Sequence, residues 1–502
     1  MKQNNISLLK LFTFASDFSN KLIFMTSMKH TKIVATISDQ RCEVEFIRSL
    51  YEAGMNVARL NTAHITPETA LMEVNNIREV SDRIAVLIDT KGPEVRTAGV
   101  EATIPVKTGD KFKLYGGAGN SVMGELHVDY AGFVADVPAG SSVLIDDGEL
   151  ELVVEAKTEE YLECVVANDG EIKNRKSVNV PGATIKLPAL TEKDKSFIHF
   201  AIENDLEFIA HSFVRNKEDL MEIQSILDEH NSQVKIIAKI ENLDGVNNID
   251  EILDHCYGVM IARGDLGIEI AAEKIPGIQR RLIKKCVRRK KPVIVATQML
   301  HSMIKNPRPT RAEVSDVANA IYFRTDAVML SGETAYGDYP VESVKVMTRI
   351  AEEVEASKSR SNDIEIPMIN DDTTAYFAEA AVEASKQLQN VNAIVTDSLT
   401  GRTARYLAAF RGKKPVYAKC HTPRVMRELA LSYGVTAGTI KAKKNKDKLV
   451  KSVLLRLVDR GHITEDSTVV YVGGSFGVGG GTTFMEIASV EKMSQKNIIN
   501  QD

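Results

Sequence analysis

Short apolar runs closed by polar or charged residues recur eight times along the chain, at 31–38, 56–61, 84–91, 206–213, 234–241, 258–265, 292–298 and 327–332, with helical patterns between them. Val/Ile-rich runs alternating with helices predict a parallel sheet buried on both faces. Eight such units predict a closed TIM-type (β/α)8 barrel, with its chemistry at the carboxyl ends of the strands. The first connecting helix places Val44, Ile47, Leu50 and Tyr51 at helical spacing, with Asp39 as the expected N-cap and Gly54 at the C-cap position. Between the third and fourth runs the pattern changes. Glu149-Leu150-Glu151-Leu152 alternates with period two, and Gly116-Gly117, Asp147-Gly148 and Asp169-Gly170 mark turns, which predicts an inserted domain of antiparallel strands. Later apolar runs at 391–396, 415–418, 435–440 and 468–473, again with helices between, predict an open doubly wound α/β sheet. The expected divisions are an arm over 1–27, a barrel from 28–92 and 189–358, an inserted β domain over 93–188 and a C-terminal domain over 359–502. The arm is expected to be disordered, or to precede a start at Met25 or Met28.

A length of 502 residues with 44% apolar content supports two to four cores. The net charge of −5 lacks the broad basic footprint of a general nucleic-acid binder and favours small-molecule partners. Cys42, Cys164, Cys256, Cys286 and Cys420 are scattered and form no C-x-x-C pair, which argues against a disulfide framework or a zinc site and suits a reducing cytoplasm. No apolar window is long enough to predict a membrane span. The apolar stretch 8–15 is interrupted by Lys10, followed by Asp17 and lacks a cleavage pattern, so it does not read as a signal peptide. The basic run 280–291 interleaves Leu282, Ile283, Cys286 and Val287 and reads as the solvated face of an amphipathic helix.

Candidate chemistry lies in the residues that close the strands. Strand five ends Lys239-Ile240-Glu241, and alternation puts the lysine and the glutamate on one face. Strand six ends Arg263-Gly264-Asp265 and brings a second carboxylate to the same rim. Two carboxylates without nearby His or Cys suit Mg²⁺, and a lysine beside them can neutralise a transferring phosphoryl group. A buried structural salt bridge is the competing reading. Arg59-Leu60-Asn61 and Asp89-Thr90-Lys91 supply a phosphate-binding guanidinium beside oxygens that suit a monovalent cation. Thr297, Ser331 and Glu333 close strands seven and eight, where hydroxyls ordinarily satisfy backbone groups, so their weight is collective. Thr396, Ser398, Thr400, Gly401, Arg402 and Thr403 follow a strand and open a helix, which suits either a phosphate or an ordinary cap. The glycine-rich loop 473–482 lacks the third glycine of a dinucleotide fingerprint.

Several runs carry a specific resemblance. Lys239-Ile240-Glu241-Asn242, Ala262-Arg263-Gly264-Asp265-Leu266-Gly267, Ala296-Thr297-Gln298-Met299-Leu300, Asn306-Pro307-Arg308-Pro309-Thr310-Arg311-Ala312-Glu313 and Met329-Leu330-Ser331-Gly332-Glu333-Thr334 resemble signatures of the pyruvate kinase family. Arg59-Leu60-Asn61, Asp89-Thr90-Lys91-Gly92-Pro93-Glu94 and Val180-Pro181-Gly182 do so too, in matching order over about residues 29–490. The resemblance implies transfer of the phosphoryl group of phosphoenolpyruvate to ADP, the final step of glycolysis, in a cytoplasmic, allosteric homotetramer. It implies Arg59 and Lys239 on the substrate phosphate, Glu241 and Asp265 on Mg²⁺ or Mn²⁺, and the Gly264 and Asp265 amides on the substrate carboxylate. Thr297 and Ser331 would flank a proton relay. The inserted domain would be a β-barrel lid, with nucleotide contacts from Asn61, His64, Arg96 and Lys176, and no catalytic role falls to His64 or His301. K⁺ would sit at Asn61, Asp89 and the Thr90 carbonyl, with Glu94 the residue expected in potassium-dependent members. Ala63 departs from the family's serine there, and Tyr322-Phe323-Arg324 departs from its small or acidic pattern. The turn 396–403, with the loop 473–482, would take a sugar-phosphate effector. The alternatives are a Mg²⁺-dependent pyruvate aldolase or lyase on the same barrel, and an inactive regulatory homologue.

Overall fold

The computed structural model describes residues 29–357, 364–367, 372–443, 445–474 and 481–495. The expected arm over 1–27 and most of the glycine-rich loop lie outside them. Eight parallel strands close into one barrel: Lys32–Ile37, Val57–Asn61, Ala85–Asp89, Phe208–His211, Lys235–Ile240, Gly258–Ala262, Val293–Ala296 and Ala327–Leu330. The first strand pairs with both the second and the eighth, which closes the cylinder. Its interior is an apolar plug of Val34, Val57, Leu87, Phe208, Ile237, Met260, Ile294 and Met329, while a larger apolar layer joins the strands to the outer helices. Two residues beyond those plug positions, on the same inward faces, stand Thr36, Arg59, Asp89, Lys239 and Ser331. The barrel therefore changes from apolar to polar along its axis, and the polar layer falls at the carboxyl ends.

The first connecting helix, Val44–Ala53, is capped at Glu43 without a side-chain bond, and not at Asp39. A bridge between Ser38 and Arg41 holds the intervening residues in a turn, which delays the helix start. Gly54 does end it, with φ 122° and no room for a side chain against Thr348 Oγ1. The basic helix Ile275–Arg288 buries Leu282, Ile283, Cys286 and Val287 as its pattern predicts.

The inserted segment forms a second closed barrel of seven strands, Val95–Ala98, Lys111–Gly116, Glu125–Val128, Ser142–Ile145, Leu150–Lys157, Tyr161–Val166 and Ser177–Asn179. One pair departs from the antiparallel expectation: Lys111–Gly116 runs parallel to Glu125–Val128. The link between them doubles back beside Val100, through the Val100–Ser121 bridge, so the second strand restarts in the original direction. Beyond the barrel, Val391–Ser398, Val416–Cys420, Val435–Thr439 and Thr468–Gly473 form a parallel sheet with apolar clusters on both faces. An antiparallel edge strand, Phe484–Ser489, completes it; its half-exposed residues carry no apolar run, and pairing with Thr468–Gly473 defines it. All five cysteines are buried and free, and no helix among the described residues is long and apolar enough to cross a membrane.

The C-terminal sheet packs against the amino-terminal end of the barrel, where Leu431 joins the interior plug. Asp326, just before the eighth strand, accepts Arg411 Nη1 at 2.9 Å and Nη2 at 2.7 Å, and also the Val293 and Tyr433 amides. Arg324 adopts φ 76°, and its carbonyl accepts Arg411 Nη2 at 2.8 Å. The unusual Tyr322-Phe323-Arg324 thus ends the helix Arg311–Tyr322 and presents a carbonyl to the C-terminal sheet. Both partners of the Arg411–Asp326 pair are buried. Arg411→Met is expected to lower the urea midpoint by the equivalent of about 3–5 kcal/mol, because it leaves a buried carboxylate without its counter-ion. A midpoint unchanged from the parent would show that the pair does not hold the junction.

Candidate active site

The fifth barrel strand presents Lys239 inward, and its Nζ lies 3.0 Å from Asp89 Oδ1 and 3.0 Å from Glu241 Oε1. It also donates to Ser212 Oγ at 2.6 Å. Arg59, one strand over from Asp89, gives its Nε to Asp89 Oδ2 at 2.6 Å and its Nη1 to Thr36 Oγ1 at 2.9 Å. Two cations therefore share one carboxylate. Burial alone would lower the Lys239 pKa, but Asp89 and Glu241 outweigh it and hold the ammonium firmly charged. Burial likewise works against the charged form of Asp89, yet Arg59 and Lys239 keep that carboxyl below its ordinary value.

The other two acids behave differently. Burial pushes Glu241 up to about 7, with Lys239 opposing and Asp265 adding to the shift. Burial also raises Asp265, and the lid residue Asp147 adds to it against the pull of Lys239. Glu241 Oε2 accepts the Phe213 amide at 2.7 Å. Two adjoining carboxyls, both raised and both with spare oxygen lone pairs, are a donor set that fits a hard divalent ion with few protein ligands. Among the described residues no cluster of three or more acidic, His or Cys ligands competes with them.

Thr297 follows the seventh strand with φ 67°, and Gln298 with φ 52°, conformations that cost a β-branched residue free energy and that sequence patterning did not indicate. Arg263 over-determines them: its Nη1 is anchored on Asp316 at 2.7 Å while its Nη2 takes the Thr297 carbonyl at 2.7 Å. The result aims Thr297 Oγ1 at the opening of the short helix Arg263–Glu269, where it accepts the Gly264 amide at 2.7 Å and donates to the Ala296 carbonyl at 2.7 Å. Ser331 sits at the same rim, its amide bound to Glu333 Oε2 at 2.8 Å. Glu333 also accepts the Leu300 amide at 3.1 Å, so it braces two strand ends against each other.

Asn61 Oδ1 accepts the Ala63 amide at 3.2 Å, and the Thr90 carbonyl accepts Ser212 Oγ at 2.6 Å. With Asp89 these make an all-oxygen set beside one formal negative charge, which fits a large monovalent cation, and Ala63 adds no side-chain oxygen. His64 is exposed on the same loop. Arg96 pairs with Glu94 at 2.6 Å and Lys176 with Asp146 at 2.8 Å, at the base of the β domain. A cleft between the two barrels is lined by Asp147, Ser177, Ser212, Phe213, Asp265 and Glu269, among others. Ser212, the Phe213 amide and Asp147 were missed in sequence; Ser212 continues the inward series Phe208, Ala210 on the fourth strand, and that periodicity could have found it.

The turn after Val391–Ser398 is closed by its own residues. Gly401 takes φ 75°, and its amide donates to Ser398 Oγ at 2.9 Å. Thr396 is fully buried, Arg402 reaches Asp372 at 3.3 Å, and Thr403 bonds Thr482 at 2.8 Å. The Thr400 carbonyl accepts Arg405 Nη1 at 3.1 Å.

Comparison with known proteins agrees with this architecture. A family model described as pyruvate kinase, barrel domain, matches residues 28–344, and one described as pyruvate kinase, alpha/beta domain, matches 376–488. The chain is 49% identical to a pyruvate kinase of Borreliella burgdorferi over 92% of its own length and 98% of that protein. It is 43% identical to a pyruvate kinase of Bacillus licheniformis, covering 92% of this chain and 80% of that one. A crystal structure of a pyruvate kinase from Cryptosporidium parvum superposes with a TM-score of 0.86 at 35% identity, over 92% of this chain and 96% of that one. With two family models matched across most of its length and relatives 43% and 49% identical over 92% of it, the chain belongs to the pyruvate kinase family.

Proposed function

We propose that this chain acts as an ATP:pyruvate 2-O-phosphotransferase, moving the phosphoryl group of phosphoenolpyruvate to ADP at the mouth of the larger barrel. The observation that carries the reading is the Lys239 ammonium, held 3.0 Å from Glu241 in a buried polar layer that also contains Arg59. Arg59 and Lys239 would receive the phosphate, each shifting part of its charge from Asp89 to the substrate oxygens. When bound at Glu241 and Asp265, Mg²⁺ or Mn²⁺ supplies further positive charge against the phosphoryl oxygens. The Gly264 and Asp265 amides would hold the substrate carboxylate, which requires the Thr297 hydroxyl to release the Gly264 amide. That hydroxyl, with Ser331, is then placed to pass a proton to the carbon left by the phosphoryl group. Arg96 and Lys176 would exchange Glu94 and Asp146 for nucleotide phosphates as the β domain closes, with Asn61 and His64 at the same edge. K⁺ would rest on Asn61, Asp89 and the Thr90 carbonyl. The turn 396–403 remains the proposed effector contact, and a cytoplasmic homotetramer the proposed assembly.

Incubation of the purified protein with phosphoenolpyruvate, ADP and Mg²⁺ should yield pyruvate; its absence at every K⁺ concentration would overturn the assignment. Lys239→Met is expected to lower kcat by about 10²–10³ with the far-ultraviolet circular dichroism unchanged; a kcat equal to the parent's would take Lys239 out of the reaction. The raised Glu241 carboxyl holds a proton below pH 7 in the metal-free protein, and a divalent ion must displace it. Apparent Mg²⁺ affinity should therefore climb by about tenfold per unit as pH rises toward 7, then level off. Affinity flat from pH 6 to 8 would contradict that. Ala63→Ser restores a hydroxyl beside Asn61 and should reduce the K⁺ concentration for half-maximal activity several-fold, read from a K⁺ titration at fixed ionic strength.

A further inference from the structure

Lys419 lies inside the C-terminal sheet, on the strand Val416–Cys420, and is only 3% exposed. Among the described residues it makes no hydrogen bond and no ion pair. Its neighbours in register are Asp397 on one side and Gly438 on the other. Asp397 leans away, with Oδ1 accepting the Tyr471 hydroxyl at 2.7 Å and standing 3.2 Å from where a Gly473 side chain would begin. Lys419 leans the opposite way. Its Nζ stands 3.2 Å from the point where a Gly438 β-carbon would sit, and Arg460 Nη1 stands 3.6 Å from that same point. The missing side chain leaves a notch with an ammonium on one wall and a guanidinium on another.

Two more cations act on this notch from other elements. Arg83, in the segment before the third barrel strand, acts through its charge, and Arg456 lies on the helix Lys446–Asp459, where one of its N–H groups is given to the Thr439 carbonyl at 3.1 Å. Asp82, which is exposed, is the carboxylate that acts on Arg460. Burial, then Arg460, Arg83 and Arg456, press Lys419 down to about 8, and burial with Lys419, Arg83 and Arg460 presses His462 to about 4. A buried ammonium facing like charges, without a carboxylate partner, is unfavourable as it stands and favourable once an anion enters.

We propose that Lys419 and Arg460, at the Gly438 notch and within the field of Arg456 and Arg83, form a binding site for a phosphate group, supplied as inorganic phosphate or as a phosphate monoester. A tetrahedral, multiply charged anion can accept from the ammonium and from guanidinium forks at once, which a halide cannot. The site is separate from the turn at 396–403. Lys419 shares its face of the sheet with Tyr417 and Tyr471, whereas Ala418 packs in the cluster on the opposite face. Because Arg83 belongs to the barrel segment and the other three to the C-terminal one, occupancy would tie the two together.

The test is thermal denaturation at pH 7 and constant ionic strength, with all proteins carrying Lys239→Met to weaken phosphate binding at the barrel mouth, and the site is read from the difference that a change at Lys419 makes. Inorganic phosphate in place of chloride should raise the melting temperature saturably, as expected for a ligand that binds only the folded state. Adding Lys419→Met should leave the chloride melting temperature equal or higher and remove most of the phosphate response. Adding Arg460→Gln, at an exposed position that tolerates change, should shift the response to at least about tenfold higher phosphate. Glycerol phosphate tested alongside separates the sources: a response to it alone assigns the site to esters, and equal responses assign it to the free anion. A phosphate response undiminished by Lys419→Met, or no response to either ligand in the parent, overturns the proposal.

Discussion

An ammonium inside a closed cylinder of strands has to be neutralised within a few ångströms, because little water reaches it. Lys239 meets that requirement with two acids at 3.0 Å, Asp89 and Glu241, and Asp89 in turn neutralises Arg59. At an effective dielectric of about 20, a pair of charges 4 Å apart attracts by about 4 kcal/mol. Removing each ion from water costs several kcal/mol, so the cluster adds little net stability. What it provides is a set of charges already dehydrated and fixed before any substrate arrives.

The rest of the barrel mouth follows from that commitment. With Lys239 shared between Asp89 and Glu241, there is not enough positive charge for Asp265 as well, and both Glu241 and Asp265 are left with raised carboxyls. A divalent ion or a proton must complete the balance. The same economy explains Thr297: its left-handed backbone is held by Arg263, whose anchor on Asp316 lies outside the mouth, so strain at the site is balanced by a salt bridge away from it.

The C-terminal sheet touches the opposite end of the barrel, through Arg411, Asp326 and Leu431. Asp326 immediately precedes the eighth strand, and Ser331 immediately follows it. A displacement at the junction would therefore be passed along a strand buried throughout its length to the rim where Ser331 stands. The Arg411–Asp326 pair joins the barrel to the C-terminal sheet, and an anion in the notch at Lys419 would add a second tie through different residues.

Periodicity determined much of this protein from sequence alone. Continuous apolar runs between helices require burial on both sheet faces, and inward alternation places Arg59, Asp89, Lys239 and Glu241 on one rim; those positions were legible because strand side chains repeat every two residues whatever their neighbours. Tertiary structure alone decided the rest. The left-handed turn at Thr297 depends on a guanidinium from the helix that follows the sixth strand, the edge strand Phe484–Ser489 exists through its pairing partner, and the parallel pair in the β domain depends on the path of a loop. Lys419 reads locally as a charged residue in an apolar strand, and only the placement of Gly438 and Arg460 beside it, within the field of Arg83, turns it into a cationic notch. Local pattern fixes which face a residue occupies; which charges meet across elements is set by long-range packing, which leaves no periodic mark on the chain.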